Sequence, residues 1–340
     1  MRPAVSILMP VREGRFLARA METLLTQTLR DFEFVIVDDA SDARTQSQLA
    51  DYAKRDGRVR VERREASCGL AAALNFGIAR CNATLIARAD ADDEYHPERL
   101  ERQVAAFRGR PRLGALSSGW RRIDERGRTL YTHRQHTGPD LVRFFNMFGA
   151  TLLHPGTMLR AEAVTAVNGY DPAYWTAQDT DLWARMVHHF ELDNLAEPLV
   201  SWREHGTSIT ARRGAEGREL SLSVRIRQQR AYLGTSPPTH LVEKSADLLG
   251  CIPRLSPSDV MLGERYLAQL LAVAQTRETR QVTDGFRKKT AFALLQQVRW
   301  AALAGRPRLA AALAGRAALW QLGRRIESAD PILGIGTEAA

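Results

Sequence analysis

The chain has 340 residues, of which 44% are hydrophobic and 26% charged, and its formal net charge is +9. These values are typical of a soluble globular protein with room for two domains. The three cysteines lack metal-type spacing, and so sparse a count argues against a disulfide framework and fits a reducing cytoplasm. No apolar run approaches the roughly 18 residues of a spanning helix, and an early strand at 5–9 leaves no room for a signal peptide.

The first third of the chain has a pattern of alternating strands and helices. Apolar runs predict strands at 5–9, 34–37, 59–61, 85–87 and 113–118. Helical periodicity predicts helices at 15–28, 45–54, 70–80 and 97–107, the last with a proline at its start. Such alternation favours βαβ units, a parallel sheet and right-handed crossovers.

The pattern changes after Trp120. Residues 124–127 read Asp-Glu-Arg-Gly, which predicts a hairpin turn, and 180–189 is expected to be a helix. Beyond residue 210 the chain is expected to be helical, with breaks at the prolines of 236–238 and 253–257.

Three carboxylates stand within four residues just after the predicted strand at 85–87, namely Asp90, Asp92 and Asp93. Such a cluster repels itself and is costly unless water or a cation satisfies it. Hard divalent cations take oxygen ligands, and Mg²⁺ typically uses one or two carboxylates together with substrate phosphates. The segment therefore indicates either a metal site that holds a diphosphate or a solvated acidic turn before a helix.

A second acidic pair, Asp38 and Asp39, ends the predicted strand at 34–37. In open α/β sheets, ligands bind outside the carboxyl ends of the strands. Two strands that both finish in aspartates therefore favour a ligand site at that edge. Two unrelated capped loops are the alternative, because Asp is common in turns.

The positive charge is concentrated near the C-terminus, where nine basic residues and no acid occur between positions 287 and 325. A nucleic-acid enzyme would more usually line its catalytic region with basic charge, so no nucleic-acid partner is expected. Trp300 and Trp320 suit a headgroup boundary, and the span predicts docking on an anionic membrane face. The alternative is a helical subdomain whose apolar face packs inward and whose arginines are solvated.

Several ordered segments between residues 4 and 212 carry a family resemblance. They lie at 6–11, 25–33, 37–41, 75–78, 87–93, 154–158, 168–171, 178–183 and 202–205. In their order and spacing the chain resembles a glycosyltransferase of family 2, of the type that builds bacterial surface polysaccharides. The resemblance implies the GT-A fold, an α/β fold with a Rossmann-like, mainly parallel sheet flanked by helices. We expect a catalytic domain at 1–212, with a nucleotide-sugar part at 1–118 and an acceptor part at 119–212, followed by a helical, basic region at 213–340.

The resemblance also implies roles for single residues at the donor. Asp39 would accept a hydrogen bond from the uracil of a UDP-sugar, Asp90 would lie by the ribose, and Asp93 would be a supporting carboxylate. Asp92 would bind Mg²⁺ or Mn²⁺ that bridges the two phosphates, with His205 as a second protein ligand. Pro10, Arg12 and Asn75 complete the expected donor-binding set.

Asp179 matches the family's catalytic base, and Asp181 is its nearest competitor. A base close to the acceptor hydroxyl and opposite the leaving nucleotide implies a single displacement with inversion at the anomeric carbon. Two departures from the family bear on this site. Gln178 stands where the family often has Glu, and Arg12-Glu13 where it often has an aromatic residue and Asn. Arg12 would stack on the base or be solvated, which leaves UDP, GDP and dTDP open.

The expected activity is metal-dependent transfer of a sugar, from a UDP-sugar in the first instance, to a hydroxyl of a glycan or lipid-linked acceptor in O-antigen, capsule or exopolysaccharide biosynthesis. The Gln-x-x-Arg-Trp pattern of processive synthases occurs at 296–300, far from Asp179 and without a spanning helix, so a non-processive enzyme is expected. One alternative is a sugar-nucleotidyltransferase, which would need a Gly-rich loop that 10–14 does not supply. Another is a silent nucleotide-sugar-binding protein of the same fold.

Overall fold

The computed structural model describes residues 2–206 and 215–323, which fall into two compact units. The first unit comprises the chain up to Asn146 together with Ala150–Ser221, and the second comprises Met147–Gly149 and the chain from Leu222 onward. The expected boundary at 212–213 falls in the segment 207–214, outside the described residues. The assignment of a catalytic domain and a basic helical region therefore stays a prediction.

A nine-stranded sheet forms the centre of the first unit, in the order β3-β2-β1-β4-β8-β6-β9-β5 with β7 paired to β6. The strands are β1 (Val5–Val11), β2 (Phe32–Asp39), β3 (Val59–Arg64), β4 (Leu85–Arg88), β5 (Glu94–Tyr95), β6 (Leu113–Ile123), β7 (Thr129–His133), β8 (Met158–Arg160) and β9 (Glu191–Arg203). The helices of this unit are α1 (Leu17–Leu25), α2 (Ala43–Arg55), α3 (Leu70–Ile78), α4 (Arg99–Phe107), α5 (Pro139–Phe145), α6 (Ala161–Ala166) and α7 (Gln178–Met186).

The alternation predicted over the first third of the chain is confirmed, with ends that shift by a few residues. Strands β3, β2, β1 and β4 are parallel neighbours. Beyond β4 the sheet becomes mixed, because β8 runs antiparallel to both β4 and β6 while β9 runs parallel to β6. The predicted hairpin turn at 124–127 joins β6 to β7.

Strands β1, β2 and β4 are buried on both faces, as expected for a sheet covered by helices, whereas the edge strand β3 is partly exposed. Leu8 and Val37 belong to a core cluster on the α3 side, whereas Ile7 and Ile36 belong to the cluster on the other side. Gly77 lets α3 approach the sheet, since a Cβ there would lie 2.3 Å from the Leu8 side chain. This packing fixes the carboxyl ends of β1, β2 and β4 at one edge.

Five helices make up the described part of the second unit, with α8 beginning in the first. They are α8 (Ala215–Leu233), α9 (Thr239–Leu249), α10 (Pro257–Arg277), α11 (Arg280–Leu303) and α12 (Pro307–Leu322). The expected helical character and both proline breaks are confirmed. Within the described residues, none of the helices combines the length and the apolar character needed to cross a membrane.

Candidate functional site

The acidic segment predicted from the sequence lies directly beyond the end of β4. The side chains of Asp90, Asp92 and Asp93 converge there, and one carboxylate oxygen from each lies within 4.8 Å of the others. Asp93 is fully buried, whereas Asp90 and Asp92 are partly exposed. Three acids in so small a volume are the arrangement that a hard divalent cation neutralises.

Two buried arginines, Arg88 and Arg99, help to hold this segment in place. Arg88, the last residue of β4, forms an ion pair with Asp90 at 2.5 Å between Nη1 and Oδ2. Arg99 donates from Nη2 to the carbonyl oxygen of Arg88 at 2.7 Å. The Tyr95 hydroxyl accepts from the Asp90 backbone N–H at 2.6 Å and donates to the Asp90 carbonyl at 3.1 Å. The position of Asp90 is therefore held through both its side chain and its backbone.

Arg203, at the end of β9, ties the acidic segment to neighbouring loops. Its backbone N–H donates to Asp93 Oδ1 at 2.8 Å, and its Nε donates to the Asp92 carbonyl at 2.9 Å. Its guanidinium also pairs with Glu94 and donates to the carbonyls of the β6–β7 turn. Because the backbone and the guanidinium of one residue make all these bonds, the geometry of the acids depends on the register of β9.

His205 reaches the same cluster from the chain just after β9. Its Nε2 lies 2.8 Å from Asp92 Oδ2, and its ring stands 5.2 Å from the ring of Phe16. The histidine side chain is only 6% exposed. The structure thus brings together Asp90, Asp92, Asp93 and His205, the residues that the sequence placed around a metal.

Burial dominates the electrostatics of the acids. It raises the pKa of Asp90, against the opposing charge of Arg88 and with a contribution from Asp92. The pKa of Asp93 is raised well above its ordinary value, first by burial and then by the negative charges of Asp92 and Asp90. The carboxyl groups of Asp90 and Asp93 therefore bind protons more readily than those of ordinary surface aspartates.

The residues present fit a divalent cation. The donors are carboxylate oxygens and one imidazole nitrogen, and the buried Asp93 Oδ2 has no hydrogen-bond partner within the described residues. A buried carboxylate oxygen left without a donor is costly unless a positive group satisfies it. Asp92 Oδ2 and His205 Nε2 lie in direct contact beside this carboxylate, so Asp92 and His205 are the residues that would hold the cation.

Asp39 lies at the carboxyl end of β2, beside the segment before α3. Its Oδ2 accepts from the Ser67 hydroxyl at 2.7 Å, and its Oδ1 accepts from the Cys68 N–H at 3.3 Å. The next residue, Ala40, has a left-handed φ of 56°, which non-glycine residues adopt at some energetic cost. This turn directs the chain away from the sheet immediately after the carboxylate.

Pro10 lies near the end of β1, and Arg12 follows directly after that strand. Arg12 donates from Nη1 to Ser67 Oγ at 2.8 Å, so it is linked to Asp39 through one hydroxyl. Pro10 is paired in register with Val37 inside the parallel sheet and is half-buried. Hydrogen bonds thus connect Arg12, Ser67 and Asp39, at the same edge of the sheet as the acidic cluster.

Asn75, which was expected in the donor-binding set, uses its side-chain amide to hold a turn of the chain. Its Nδ2 donates to the Tyr170 carbonyl at 2.7 Å, and its Oδ1 accepts from the Tyr170 N–H at 2.8 Å. A Cβ on Gly169, whose φ is 67°, would meet Asn75 Oδ1 at 2.6 Å. The amide is therefore engaged in holding the 168–171 turn, and we do not include it in the donor site.

The two candidate bases of α7 have different environments. Asp181 is buried and pairs with Arg185 at 2.7 Å, whose guanidinium also donates to the Gly169 carbonyl. Asp179 is partly exposed in the first turn and accepts from the Thr180 N–H at 2.8 Å. Burial raises the pKa of Asp90, and the nearby Asp179 carboxylate raises it further. Among the residues that the structure describes, Asp179 forms no salt bridge, and its charge acts on Asp90 in the cluster.

Sequence reasoning missed the buried groups that support the acids. Besides Arg88, Arg99 and Arg203, His154 bonds through Nε2 to the Tyr170 hydroxyl at 2.8 Å. Burial, followed by the charge of Arg88, lowers the pKa of His154 well below its usual value. One signal was available, because an arginine inside an apolar strand run, as at position 88, needs a buried partner.

Comparisons with known proteins show which family the sequence resembles. The sequence model of glycosyl transferase family 2 matches residues 6–164. The chain is 29% identical over 209 residues to the O-antigen biosynthesis glycosyltransferase WbnJ of Escherichia coli, which covers 60% of this chain and 81% of that protein. It is 30% identical over 218 residues to the putative glycosyltransferase EpsE of Bacillus subtilis, covering 62% and 76%.

Solved structures show the fold. The mannosyltransferase PcManGT of Pyrobaculum calidifontis, in complex with GDP-Man and Mn²⁺, matches with a TM-score of 0.54 and 17% identity over 94% of this chain and 88% of that one. TarS 1–349 of S. aureus with UDP-GlcNAc matches with a TM-score of 0.57 and 12% identity over 95% and 93%. The fold is therefore that of the GT-A glycosyltransferases. The chain belongs to glycosyltransferase family 2.

Proposed function

We propose that the protein is an inverting, metal-dependent and non-processive glycosyltransferase that moves a sugar from a nucleotide-sugar to a hydroxyl of a glycan or lipid-linked acceptor in polysaccharide biosynthesis. The observation that carries this proposal is the convergence of Asp90, Asp92 and Asp93 with His205 at the carboxyl edge of the sheet. Relatives named for O-antigen and amylovoran biosynthesis support the polysaccharide context.

Asp92 and His205 would hold Mg²⁺ or Mn²⁺, with Asp90 and Asp93 completing the negative environment. A bound divalent cation would offset the charge that develops on the leaving diphosphate. Arg88 keeps Asp90 in place, and Arg203 keeps Asp92 and Asp93 in place, through the contacts described above. These contacts would hold the acidic cluster in one arrangement before the donor binds.

Asp39, with Arg12 and Ser67, would bind the nucleotide base. The Asp39 carboxylate has acceptor capacity beyond its bonds to Ser67 and Cys68, since an ionised carboxylate offers about four lone-pair sites. A uracil ring donates one N–H that such a group recognises. We therefore propose a UDP-sugar as donor, and a GDP-sugar as the alternative that the PcManGT complex suggests.

Asp179 would take the proton of the acceptor hydroxyl as the bond to the sugar forms. A carboxylate is a sufficient base for this step because the hydroxyl becomes acidic only as bond formation proceeds. Asp181 is committed to Arg185 and is buried, which leaves Asp179 as the base. A single displacement opposite the leaving nucleotide inverts the anomeric centre.

A donor screen by thermal shift tests the proposal. UDP-, GDP- and dTDP-sugars are each added with and without Mn²⁺, and a donor at a hundredfold excess over its Kd raises stability by about 2.7 kcal/mol. The expected result is a metal-dependent shift with a UDP-sugar, together with slow hydrolysis of that sugar. A donor that binds without any hydrolysis or transfer would indicate a silent binding protein instead.

Asp92→Asn is the decisive variant, and Asp51→Asn, an exposed acid on α2, is the matched control. We expect calorimetry with UDP and Mn²⁺ to show that Asp92→Asn loses metal-dependent binding while its circular dichroism is unchanged. The Asp51 variant should bind as the wild type does. Unchanged affinity in Asp92→Asn would remove Asp92 from the metal site.

A further inference from the structure

Helix α11 in the second unit has two faces of different character. One face is packed within the unit and consists of Val282, Phe286, Thr290, Ala293, Gln297 and Ala301. The opposite face is exposed and consists of Lys288, Phe292, Leu295, Arg299 and Leu303. The spacing of three and four residues places these five side chains in one line along the helix, which we call the exposed stripe.

The apolar members of the exposed stripe are uncovered to an unusual degree. Phe292 is 50% exposed, Leu295 is 40% exposed and Leu303 is 69% exposed. A solvated helix face normally carries polar residues, and a contiguous apolar line with polar flanks marks an interaction surface. From Lys288 to Leu303 the line extends about 22 Å at 1.5 Å per residue. This length is that of an extended docking surface.

Cations accompany the apolar residues along the same helix, in the turn after it and at the start of α12. Lys288, Arg299, Arg306 and Arg308 are exposed, and they form no ion pair within the described residues. The sequence contains no acid between positions 285 and 326. The stripe therefore combines three exposed apolar side chains with two cations, Lys288 and Arg299. The acid that precedes it on the helix, Asp284, pairs with Arg280 and Arg287.

The side chains that are exposed for contact with a partner differ from those expected from the sequence. Trp320 does not belong to the surface, because it is fully buried and donates from Nε1 to Glu264 at 3.0 Å. Arg316 pairs with the same Glu264. The expectation that Trp320 meets lipid headgroups is therefore wrong, and Arg324 and Arg325 lie outside the described residues. Phe292, Leu295 and Leu303 are the side chains in position to enter an apolar layer.

We propose that the exposed stripe of α11 docks on an anionic lipid surface. Phe and Leu side chains would enter the headgroup boundary, while the long Lys and Arg side chains would reach the phosphates on either side. A second copy of the chain is a poorer partner, because a two-fold interface on this face would set the cations against one another. The inference is independent of the proposed function, since binding is measured without donor or acceptor.

Co-sedimentation of the full chain with vesicles tests this inference. Vesicles of phosphatidylglycerol and phosphatidylcholine should retain the protein at low salt, and vesicles of phosphatidylcholine alone should not. Added salt should release it, because charges at a surface are screened. Failure to bind the anionic vesicles at low salt would overturn the proposal.

Two sets of substitutions identify the surface. Replacing Lys288, Arg299 and Arg306 with Gln should weaken partition by about fivefold for each cation, equivalent to about 1 kcal/mol each. Replacing Phe292, Leu295 and Leu303 with Ser should weaken it by about tenfold or more, because binding scales with the buried apolar area. Thermal unfolding verifies that both variants remain folded.

Matched controls separate the stripe from general charge and hydrophobicity. The triple variant Lys54→Gln, Arg55→Gln, Arg230→Gln removes three exposed cations elsewhere, and Leu130→Ser with Ile252→Ser removes exposed apolar side chains elsewhere. Both controls should bind vesicles nearly as the wild type does. Equal losses in the stripe and control variants would overturn the assignment, and so would a dimer in sedimentation velocity that Phe292→Ser dissociates.

Discussion

The two units of this protein treat charge in opposite ways. The first buries Arg88, Asp93, Arg99 and Arg203 beside one another at the end of the sheet. The second, within the residues described, buries one charged side chain, Glu264, and leaves its arginines and lysines exposed or partly exposed. Burying charge is costly unless it is paired, so a cluster of buried charges marks a place where the fold supports chemistry. Charge kept at the surface is available to an extended partner.

The largest expected effect is that of replacing Asp179, on helix α7 of the first unit. Asp179→Asn should leave donor affinity in calorimetry unchanged and should reduce the rate of sugar transfer by about 10²–10⁴-fold, the usual contribution of a positioned general base. The reason is that Asp179 is partly exposed near Asp90 and has no salt bridge among the described residues.

Asp181→Asn is the matched control on the same helix. It removes the buried partner of Arg185 and should lower the unfolding temperature, while the folded fraction transfers sugar at close to the wild-type rate. A slow Asp181 variant combined with a fully active Asp179 variant would reverse the assignment of the base.

The second expected effect concerns Glu264, the buried charge of the second unit. Glu264→Ala leaves the buried Trp320 indole N–H without its acceptor and Arg316 without its counter-ion. We expect a loss of about 2–3 kcal/mol in the free energy of unfolding, measured by urea denaturation. Glu243→Ala, at an exposed position on α9, should change it by less than about 0.5 kcal/mol. Equal stability of the two variants would mean that buried charge has no special role in this unit.

The sequence was informative where apolar runs end in acids. Strands at 34–37 and 85–87 and the acids after them were predictable, because alternating strands and helices force those strand ends to one edge. The order of the strands beyond β4 was not predictable, since β8 and β9 enter the sheet from distant segments. The burial of Trp320 was likewise hidden, because its partner Glu264 is remote in sequence and only packing brings the two together.

The third expected effect concerns Asn75. It tests whether this side chain stabilises the 168–171 turn or binds the nucleotide. Asn75→Ala removes both side-chain bonds to the Tyr170 backbone and should cost about 1–2 kcal/mol of unfolding free energy. Calorimetry should show an unchanged affinity for UDP. A large loss of UDP affinity at unchanged stability would return Asn75 to the donor site.

The smallest expected effect is a difference in thiol reactivity within the first unit. Burial raises the pKa of Cys81 to about 12, with a further contribution from the charge of Glu33. Because the thiolate is the reactive form, Cys81 should be nearly inert to iodoacetamide below that pH, and Cys68, which is exposed, should react first. The Cys68 pKa is also raised, by burial and then by Asp39, so its labelling rate should still rise with pH above neutrality.

Nucleotide binding should slow the labelling of Cys68, since its Sγ lies 3.7 Å from Asp39 Oδ1. UDP with Mn²⁺ is expected to protect it in a mass-spectrometric time course, and the Asp92→Asn variant should show no such protection. Protection that is equal in both proteins would separate the nucleotide-base contact from the metal.

The pairing of β6 with β9 has a consequence for evolution by insertion and deletion. The register slips twice between Ser118 and Trp120, where Leu195, Pro198 and Val200 are the successive partners on β9, and then runs regularly to Arg203. A residue gained or lost within that irregular stretch can be absorbed locally, as strand bulges allow. One gained or lost after Val200 would turn Arg203 to the opposite face of the sheet and release the acidic segment. We therefore expect insertions and deletions among descendants of this chain to be confined to the irregular stretch of β9 before Val200.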